Sequence, residues 1–298
     1  LILPDLRQLR VSRLSQYFES IINDLALKGH SKATESKDVY QQAQAFLLSE
    51  LGLTNWQPDH KLSFIKKYSD LDQADRIDAE FFQPKYAEIV SEIKSYSGGW
   101  DSLKNLVTMK KCVEVGSGEY LDKGIPFVRV SNLSPFEISE EKYISEELYA
   151  ELSQHQPKQG EILLSKDGSP GIACHLPDNP KKMIPSGGIL RLKLKDDRLN
   201  ADYLTLVLNS LLTQEQVQRD CGGSIILHWR PDQVKETLIP ILPSEKQLDI
   251  QQKVTESFNM KMQSKHLLEC AKRAVEIAIE QDEQVAMQWL QAQTSEAL

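Results

Sequence analysis

A short sequence near the start of the chain is repeated near its end at a constant offset. Ile2-Leu3-Pro4, followed by Gln8-Leu9 and Val11, matches Ile241-Leu242-Pro243, followed by Gln247-Leu248 and Ile250. In each copy Pro closes an apolar, strand-like run and a helical pattern follows, because Pro suits the first turn of a helix but not its interior. The same strand-to-helix junction is therefore expected twice, with one globular segment between two helical regions. The chain accordingly is predicted to be the second half of a tandem molecule.

The first helical region is predicted to hold two helices within residues 1–53. Its opening helix has apolar residues spaced three and four apart, which is typical of a coiled-coil seam, at Val11, Leu14, Phe18, Ile21 and Leu25. Gly29-His30-Ser31 is predicted to end this helix. A second helix is predicted to follow Ser36 as N-cap and to stop at Gly52.

The last region, residues 244–298, is predicted to be one long helix. The stretch from Glu245 to about Gln293 contains no Gly or Pro, and at 1.5 Å per residue it would span roughly 70 Å. Its predicted seam is Ile250, Val254, Phe258, Met262, Leu268, Ala271, Val275, Ala278, Val285 and Trp289. A helix with one apolar stripe needs a partner, so the two regions are expected to pack antiparallel within one chain or across a homodimer. An ordinary dimerising coiled coil remains an alternative.

Between the helical regions the pattern changes to short β-rich runs separated by Gly and Pro. Residues 54–99 are read as a linker with a lead-in helix from Pro84 to about Tyr96, and residues 100–243 as a globular domain. Its predicted strands are Ile125–Val130, Glu161–Ser165, Gly171–His175, Gly188–Lys195, Ser224–Leu227 and Leu238–Leu242. One helix is predicted from Ala201 to about Gln218 after Asn200 as N-cap. The predicted fold class is α+β, a β-rich domain joined to long antiparallel coiled-coil-like helices.

Composition restricts the functions open to the chain. Its 298 residues carry a net charge of −8, and none of the segments 1–100, 101–240 and 241–298 is basic overall, which argues against nucleic-acid binding by charge alone. No run approaches the ~20 apolar residues of a membrane span, and there is no signal-peptide pattern. Four scattered Cys without a CxxC pair indicate free thiols. The chain is predicted to be cytoplasmic, without a membrane partner.

Catalytic and metal motifs are not found in the sequence. It lacks a P-loop, GxSxG and HExxH, and Asn179-Pro180 is followed by Lys181, which fits a turn rather than an amino-methyltransferase motif. Two matches to a nuclease pattern fall in or beside predicted helices, whereas that chemistry needs carboxylates converging on a metal. Cys174-His175, and Cys221 with His228, match no zinc spacing. The chain is therefore predicted to be non-catalytic, with no metal and no cofactor.

Three glycine-containing loops supply the candidate site instead. Gly permits close backbone approach to a phosphate, Arg can bridge a guanine edge, and Asn can do the same for adenine. The loops are 124–133, 160–171 and 222–231. The candidate DNA-binding residues on them are Arg129, Ser131, Asn132, Lys166, Asp167, Ser169, Ser224, His228 and Arg230. Turns and strand ends with ordinary polar decoration are the alternative interpretation.

The order of these segments resembles the target-recognition domains of type I restriction-modification specificity subunits. The matching segments are Gly-Ile-Pro-Phe-Val-Arg129, Gly160-Glu-Ile-Leu-Leu-Ser, Asp202-Tyr203-Leu204, Gly222-Gly-Ser and Ile239-Pro-Ile-Leu-Pro before Glu245-Lys-Gln247. Arg76-Ile-Asp-Ala-Glu-Phe-Phe-Gln-Pro-Lys85 is similar to the lead-in of such a domain. The resemblance covers nearly the whole chain.

The resemblance implies a subunit that recognises double-stranded DNA. The family has two recognition domains separated by antiparallel helices, each reading half of a bipartite site, and has no catalytic activity. Methyltransferase subunits and an endonuclease subunit are its partners. Here one recognition domain is missing, so a fragment, a half-subunit that forms a homodimer, and the targeting module of a fused single-chain enzyme all stay open, as does a coiled-coil scaffold. Base-reading positions vary with the target, so only the matched loops are carried over.

Overall fold

The computed structural model describes residues 12–222 and 226–295, so the predictions for Ile2–Val11 lie outside the described residues. The chain forms two compact units, one of Leu1–Tyr40 with Thr255–Leu298 and one of Gln41–Val254. We call them the helical unit and the mixed unit. No helix in the described residues has the length and apolar character needed to cross a membrane.

Helices and strands are numbered in chain order over the described residues. The helices are α1 (Gln16–Glu50), α2 (Tyr68–Ala74), α3 (Pro84–Ser95), α4 (Leu103–Leu106), α5 (Glu146–Leu152), α6 (Ala201–Asn209), α7 (Leu211–Asp220), α8 (Pro231–Glu236), α9 (Ser244–Glu280) and α10 (Glu283–Ser295). The strands are β1 (Trp100–Ser102), β2 (Val107–Lys111), β3 (Ile125–Val128), β4 (Tyr143–Ile144), β5 (Ile162–Ser165), β6 (Asp167–Gly168), β7 (Ala173–His175), β8 (Ile184–Pro185), β9 (Ile189–Leu194), β10 (Leu227–His228) and β11 (Leu238–Pro240). Short 3-10 turns occur at Ser117–Glu119, Val130–Asn132 and Ser153–His155.

In the helical unit, α1 packs antiparallel against α9. The Ser15 amide donates to Glu283 Oε1 at 2.6 Å, and the Ser36 hydroxyl donates to the Ser257 carbonyl at 2.8 Å. Partner numbers fall as those of α1 rise, which defines antiparallel packing. The core of the helical unit, to which α10 contributes the last two residues, contains Phe18, Leu25, Cys270, Ala271, Ala274, Ile277, Ala278, Ala286 and Leu290. The predicted antiparallel pairing within one chain is therefore confirmed.

The predicted break at Gly29-His30-Ser31 was wrong, because α1 continues without interruption through Gly29 and Ser36. A Cβ on Gly29 would lie 2.8 Å from Leu268 Cγ, so this glycine allows close helix contact instead of ending the helix. Ser36 is buried rather than an N-cap. Besides its bond to Ser257, its own carbonyl accepts from the Ser257 hydroxyl at 2.7 Å. Buried hydroxyls are tolerated when they are hydrogen-bonded in this way.

The single helix predicted after Glu245 is also incorrect, since α9 ends at Glu280 and α10 begins at Glu283. Asp282 starts the second helix by accepting the Val285 amide at 2.8 Å, the usual role of an N-cap carboxylate. The 37 residues of α9 span about 55 Å at 1.5 Å per residue, less than the predicted 70 Å.

Part of the predicted seam on α9 points away from α1. Phe258 is 37% and Met262 is 49% exposed, whereas Ser257 and Ser264 are buried. Small residues let the helices approach closely at Gly29, so apolar spacing alone misassigned the buried face along this part of α9.

The mixed unit is built around a four-stranded antiparallel sheet in the order β2-β9-β5-β7. Leu163 of β5 lies opposite Arg191 of β9, and every residue of β5 is buried. A three-stranded sheet, β4-β3-β8, includes one parallel pair, and the pairs β1-β11 and β6-β10 complete the strands. Strands near five of the six predicted runs are therefore present, and the predicted α+β class is confirmed. The sixth run, Ser224–Leu227, begins outside the described residues, and Leu227 opens β10.

Helices α6 and α7 replace the single helix predicted from Ala201 to Gln218. Asn200 caps α6 as predicted, accepting the Tyr203 amide at 2.7 Å. At Ser210 the backbone turns extended, with φ −85° and ψ 166°. The preceding Asn209 then pairs with β7, accepting from the Ala173 amide at 3.0 Å and donating to its carbonyl at 2.8 Å. That edge contact explains why the helix ends there.

The lead-in helix α3 begins at Pro84 as predicted and buries Ile89 and Ile93. Lys85 forms a buried ion pair with Glu215 of α7 at 3.2 Å. At the other end of the domain, the side chain of the buried Gln247 donates to the Arg198 and Leu242 carbonyls and accepts the Asn200 amide. Gln247 thereby holds the junction into α9 against the mixed unit's own loop.

Candidate nucleic-acid interface

Two of the three predicted loops meet through a short strand pair. His228 of β10 lies opposite Asp167 of β6, and Leu227 lies opposite Gly168. The Trp229 amide extends this contact by donating to the Lys166 carbonyl at 2.8 Å. Segments 61 residues apart in sequence are therefore held at one edge of the mixed unit.

Asp167 lies at the centre of the resulting cluster. Its carboxylate accepts from the Lys166 ammonium through one oxygen and lies 2.8 Å from His228 Nδ1 through the other. Lys166 and Asp167 are largely covered, whereas the His228 side chain is 58% exposed. The arrangement holds Lys166 and leaves the outer edge of the His228 ring open to an approaching ligand.

The first loop, residues 124–133, adjoins the same cluster across Gly188. A Cβ on Gly188 would crowd Val130 Cγ2 at 2.9 Å and would lie at ordinary contact distance, 3.5 Å, from Asp167 Cβ, so both loops pack against this glycine. The Gly188 carbonyl also accepts the Lys166 amide at 2.8 Å. The described parts of all three predicted loops therefore lie close to one another.

Within the first loop the candidate residues have different environments. Asn132 is 5% exposed, and its side-chain oxygen accepts the Arg129 amide at 3.0 Å. Arg129 pairs with Glu141, and hydrogen bonds from Arg129 and then Asn132 lower the Glu141 pKa. Ser131 is exposed. Asn132 thus shapes the turn, and Arg129 and Ser131 present the polar groups nearest to solvent.

The remaining candidates lie on the rim of the cluster. Arg230 is 67% exposed and makes a loose ion pair with Asp232 at 3.3 Å. Ser169 is exposed beside Gly168. Ser224 lies outside the described residues.

Arg76 is a residue that the sequence reasoning did not assign to the site. Its guanidinium donates to the Asp220 carbonyl at 3.2 Å, at the end of α7. The Gln233 side chain donates to the same carbonyl at 2.8 Å, so both residues fix the start of the loop that leads to His228. Arg76 was noted within the lead-in segment, but its contact lies 144 residues away in sequence and no local pattern predicts it.

An open cavity of about 800 Å³ lies beside this loop base. Arg76, Arg219, His228 and Arg230 line it together with Phe81, and the Arg76 guanidinium lies 4.4 Å from the Phe81 ring centroid. Asp78 pairs with Arg76, and that hydrogen bond lowers the Asp78 pKa. Asp220 and Asp232 also border the cavity and pair with Arg219 and Arg230.

No group of three His, Cys, Asp or Glu side chains in the described residues is arranged to hold a metal ion. The Cys and His residues weighed as metal ligands have other surroundings. His175 pairs with Asp202 at 2.6 Å, His228 pairs with Asp167, and burial raises the pKa of the Cys221 thiol to about 12. A thiol with so high a pKa stays protonated at neutral pH and is a poor ligand or nucleophile.

The chain thus contains the mixed unit, in which the candidate loops meet, and the helical unit of antiparallel helices. No family model matches the sequence, and no curated relative matches it.

Three solved structures match the chain at low sequence identity. One is the S subunit from M. genitalium, with 18% identity and a TM-score of 0.40 over 62% of this chain and 44% of that chain. Another is the HsdS subunit from Thermoanaerobacter tengcongensis, with 16% identity and a TM-score of 0.39 over 92% and 56%. A third, from a structure described as the basis of complex assembly and conformational transition of the type I R-M system, has 15% identity and a TM-score of 0.41 over 95% and 59%. This chain spans about half the length of the structures it matches.

Proposed function

We propose that this chain is a non-catalytic specificity subunit that recognises one half of a bipartite site in double-stranded DNA. The observation that carries the proposal is the β6-β10 pair, which brings two glycine loops to one edge with Lys166, His228 and Arg230 together. The sequence resemblance described above points to the same function. Exposed donors on firmly held loops are suited to reading base edges, because discrimination depends on fixed geometry.

The candidate residues divide into two proposed roles. The side chains of Arg230 and His228 are more than half exposed, so we assign them to base edges together with Arg129, Ser131, Ser169 and Ser224. Lys166 is assigned to a phosphate, with Asp167 orienting both Lys166 and His228. Asn132 and Arg76 are assigned to positioning, because their polar groups are engaged by the loops themselves.

The proposed partners follow from charge and from the helices. A net charge of −8 leaves little for phosphate neutralisation by this chain alone, so methyltransferase subunits would supply much of it. Phe258 and Met262, exposed on α9, offer apolar side chains for docking such a subunit. Assembly with an endonuclease subunit, and a homodimer formed through the helices, complete the proposed set of complexes.

Alanine variants test the two roles against each other. The cognate half-site is first selected from random duplexes by the full chain together with a methyltransferase subunit. Arg230→Ala is then expected to cost ~1–3 kcal/mol on the selected half-site and little on random duplex, whereas Lys166→Ala weakens both alike and lowers the salt slope by about one unit. Lys94→Ala is a control, because this exposed lysine lies on α3, outside the three candidate loops. Unchanged affinity and specificity when all the described candidates are replaced would refute the proposed recognition surface.

A further inference from the structure

A second groove, of about 600 Å³, lies at the other end of the four-stranded sheet. On the β5-β9 pair, Ser165 faces Ile189 at the end next to Lys166, and Ile162 faces Leu192 at the opposite end. Lys193 follows Leu192 and lines the groove with Lys158 and Lys182. The three lysines are therefore separated from the loop cluster by the length of the strands. We call this feature the lysine groove.

Internal hydrogen bonds hold the two walls of the lysine groove together. The Gln156 side chain donates to the Lys181 carbonyl at 3.1 Å and accepts the Met183 amide at 2.9 Å. Gln159 donates to the Pro177 carbonyl at 2.9 Å. These bonds join the segment before β5 to the Asn179-Pro180 turn. The lysines thus stand on walls of fixed spacing.

A buried ion pair fixes the base of the first wall. Arg191 makes two hydrogen bonds to Glu161, at 2.8 and 3.0 Å, and donates to the Gln154 carbonyl at 3.0 Å. Glu161 in turn accepts the Lys158 amide at 3.0 Å. Because Arg191 neutralises the Glu161 carboxylate, that buried charge does not offset the charge of the lysines.

The lysine groove is positively charged on a chain that is acidic as a whole. None of the described residues lining it is Asp or Glu, and among the described residues neither Lys158 nor Lys193 forms an ion pair. Lys182 pairs with Glu146 at 2.9 Å, but both side chains are more than half exposed, so the pair is weak and exchangeable. Besides the lysines, the lining consists of amide side chains, two prolines and Tyr149, whose ring centroid lies 5.2 Å from the Lys182 ammonium. This chemistry favours a phosphate ligand over a protein surface.

We infer that the lysine groove binds backbone phosphates of the same duplex that the loop cluster reads, an inference that rests on the proposed function. Continuing the β5-β9 register by one residue places Lys193 opposite Glu161. Glu161 precedes Lys166 by five residues, and five residues of extended strand span about 17 Å at ~3.3 Å per residue. That distance is half of a ~34 Å turn of B-DNA and is comparable with the ~12 Å major groove plus its bordering backbones. The two features are therefore separated by less than one turn of a duplex.

The test compares the full chain with its K158A/K193A variant, each with the methyltransferase subunit, on 30-bp duplexes of random and of selected sequence. The variant is expected to bind both duplexes more weakly by the same factor, and its log-log salt slope to fall by about 1.8. The ratio of the wild-type binding constant to that of the variant should then fall about tenfold between 50 and 200 mM salt. Control variant K94A/K123A removes the same charge from two exposed lysines outside both grooves and should leave the slope unchanged.

Three results would overturn the inference. If wild type binds DNA and K158A/K193A shows unchanged affinity and salt slope, the lysine groove does not contact phosphates, and the proposed function is unaffected. Unchanged DNA binding with weaker assembly onto the methyltransferase subunit would identify a protein contact instead. Absence of duplex binding by wild type at 50 mM salt would overturn the inference and the proposed function together.

Discussion

Arg191 and Glu161 form a buried ion pair in the mixed unit. Their side chains are 2% and 5% exposed, and a buried charge left without its partner costs ~3–5 kcal/mol. Arg191→Met should therefore lower the free energy of unfolding in urea by that amount, and adding Glu161→Leu should recover much of it. Lys104→Met breaks an exposed pair with Glu236 and should cost under ~1 kcal/mol. Equal losses for the buried and exposed pairs would contradict the assignment.

The Asp78–Arg76 pair should stabilise the folded chain at neutral pH and lose this effect in acid. Its pKa is lowered in the folded protein by Arg76, so the stabilisation is present above its unfolded pKa of ~3.9 and is lost as pH falls through the folded pKa. Because the Asp78 side chain is 46% exposed, Asp78→Asn should cost only ~0.2–1 kcal/mol at pH 7. Urea unfolding across pH 7 to 2 should show this difference narrowing below about pH 4. A difference that stays constant would show that the Arg76 pair does not contribute.

At the scale of elements, Gly29 distinguishes close packing from helix termination. Alanine in an exposed helix stabilises by ~1 kcal/mol relative to glycine, but here the added Cβ meets Leu268, and overpacking typically costs ~1–3 kcal/mol. Gly29→Ala is therefore expected to destabilise the chain, as measured by thermal or urea unfolding. Adding Leu268→Ala should remove the penalty in a double-mutant cycle. Ser31→Ala, at an exposed position of α1, is the control, and a stabilising Gly29→Ala would disprove close packing.

Local signals predicted the elements that local chemistry determines. Pro84 begins α3 and Asn200 caps α6 as expected, because both effects act within one turn. Gly29 and Ser210 were misread, since a contact with Leu268 and the pairing of Asn209 with β7 decide those positions. The two-residue strands β6 and β10 carry no recognisable periodicity. Their pairing, which assembles the candidate site, could not be predicted from pattern.

At the scale of the whole molecule, the net charge of −8 does not describe the local surface that is proposed to bind DNA. No segment of the sequence is basic overall, so a DNA-binding face on this chain would be a local patch. The mixed unit has exposed donors at His228 and Arg230, a largely covered Lys166 beside them, and the three lysines of the lysine groove. The assignment of the nine candidate residues to DNA contacts remains a prediction, and so do the domain limits 1–53, 54–99, 100–243 and 244–298. Testing the DNA contacts requires an assembled complex, because specificity for a base can be measured only when the protein binds the duplex tightly enough.

Mapping of methylated bases in cells tests the central claim most directly. The chain is co-expressed with a methyltransferase subunit in a host that lacks restriction-modification genes, and methylation is located across the genome by sequencing. We predict methylation at one bipartite motif only when the chain is present, and an altered or relaxed half-site with His228→Ala/Arg230→Ala but not with Lys94→Ala. Methylation that is independent of the chain, or a motif unchanged by the double variant, would contradict the account.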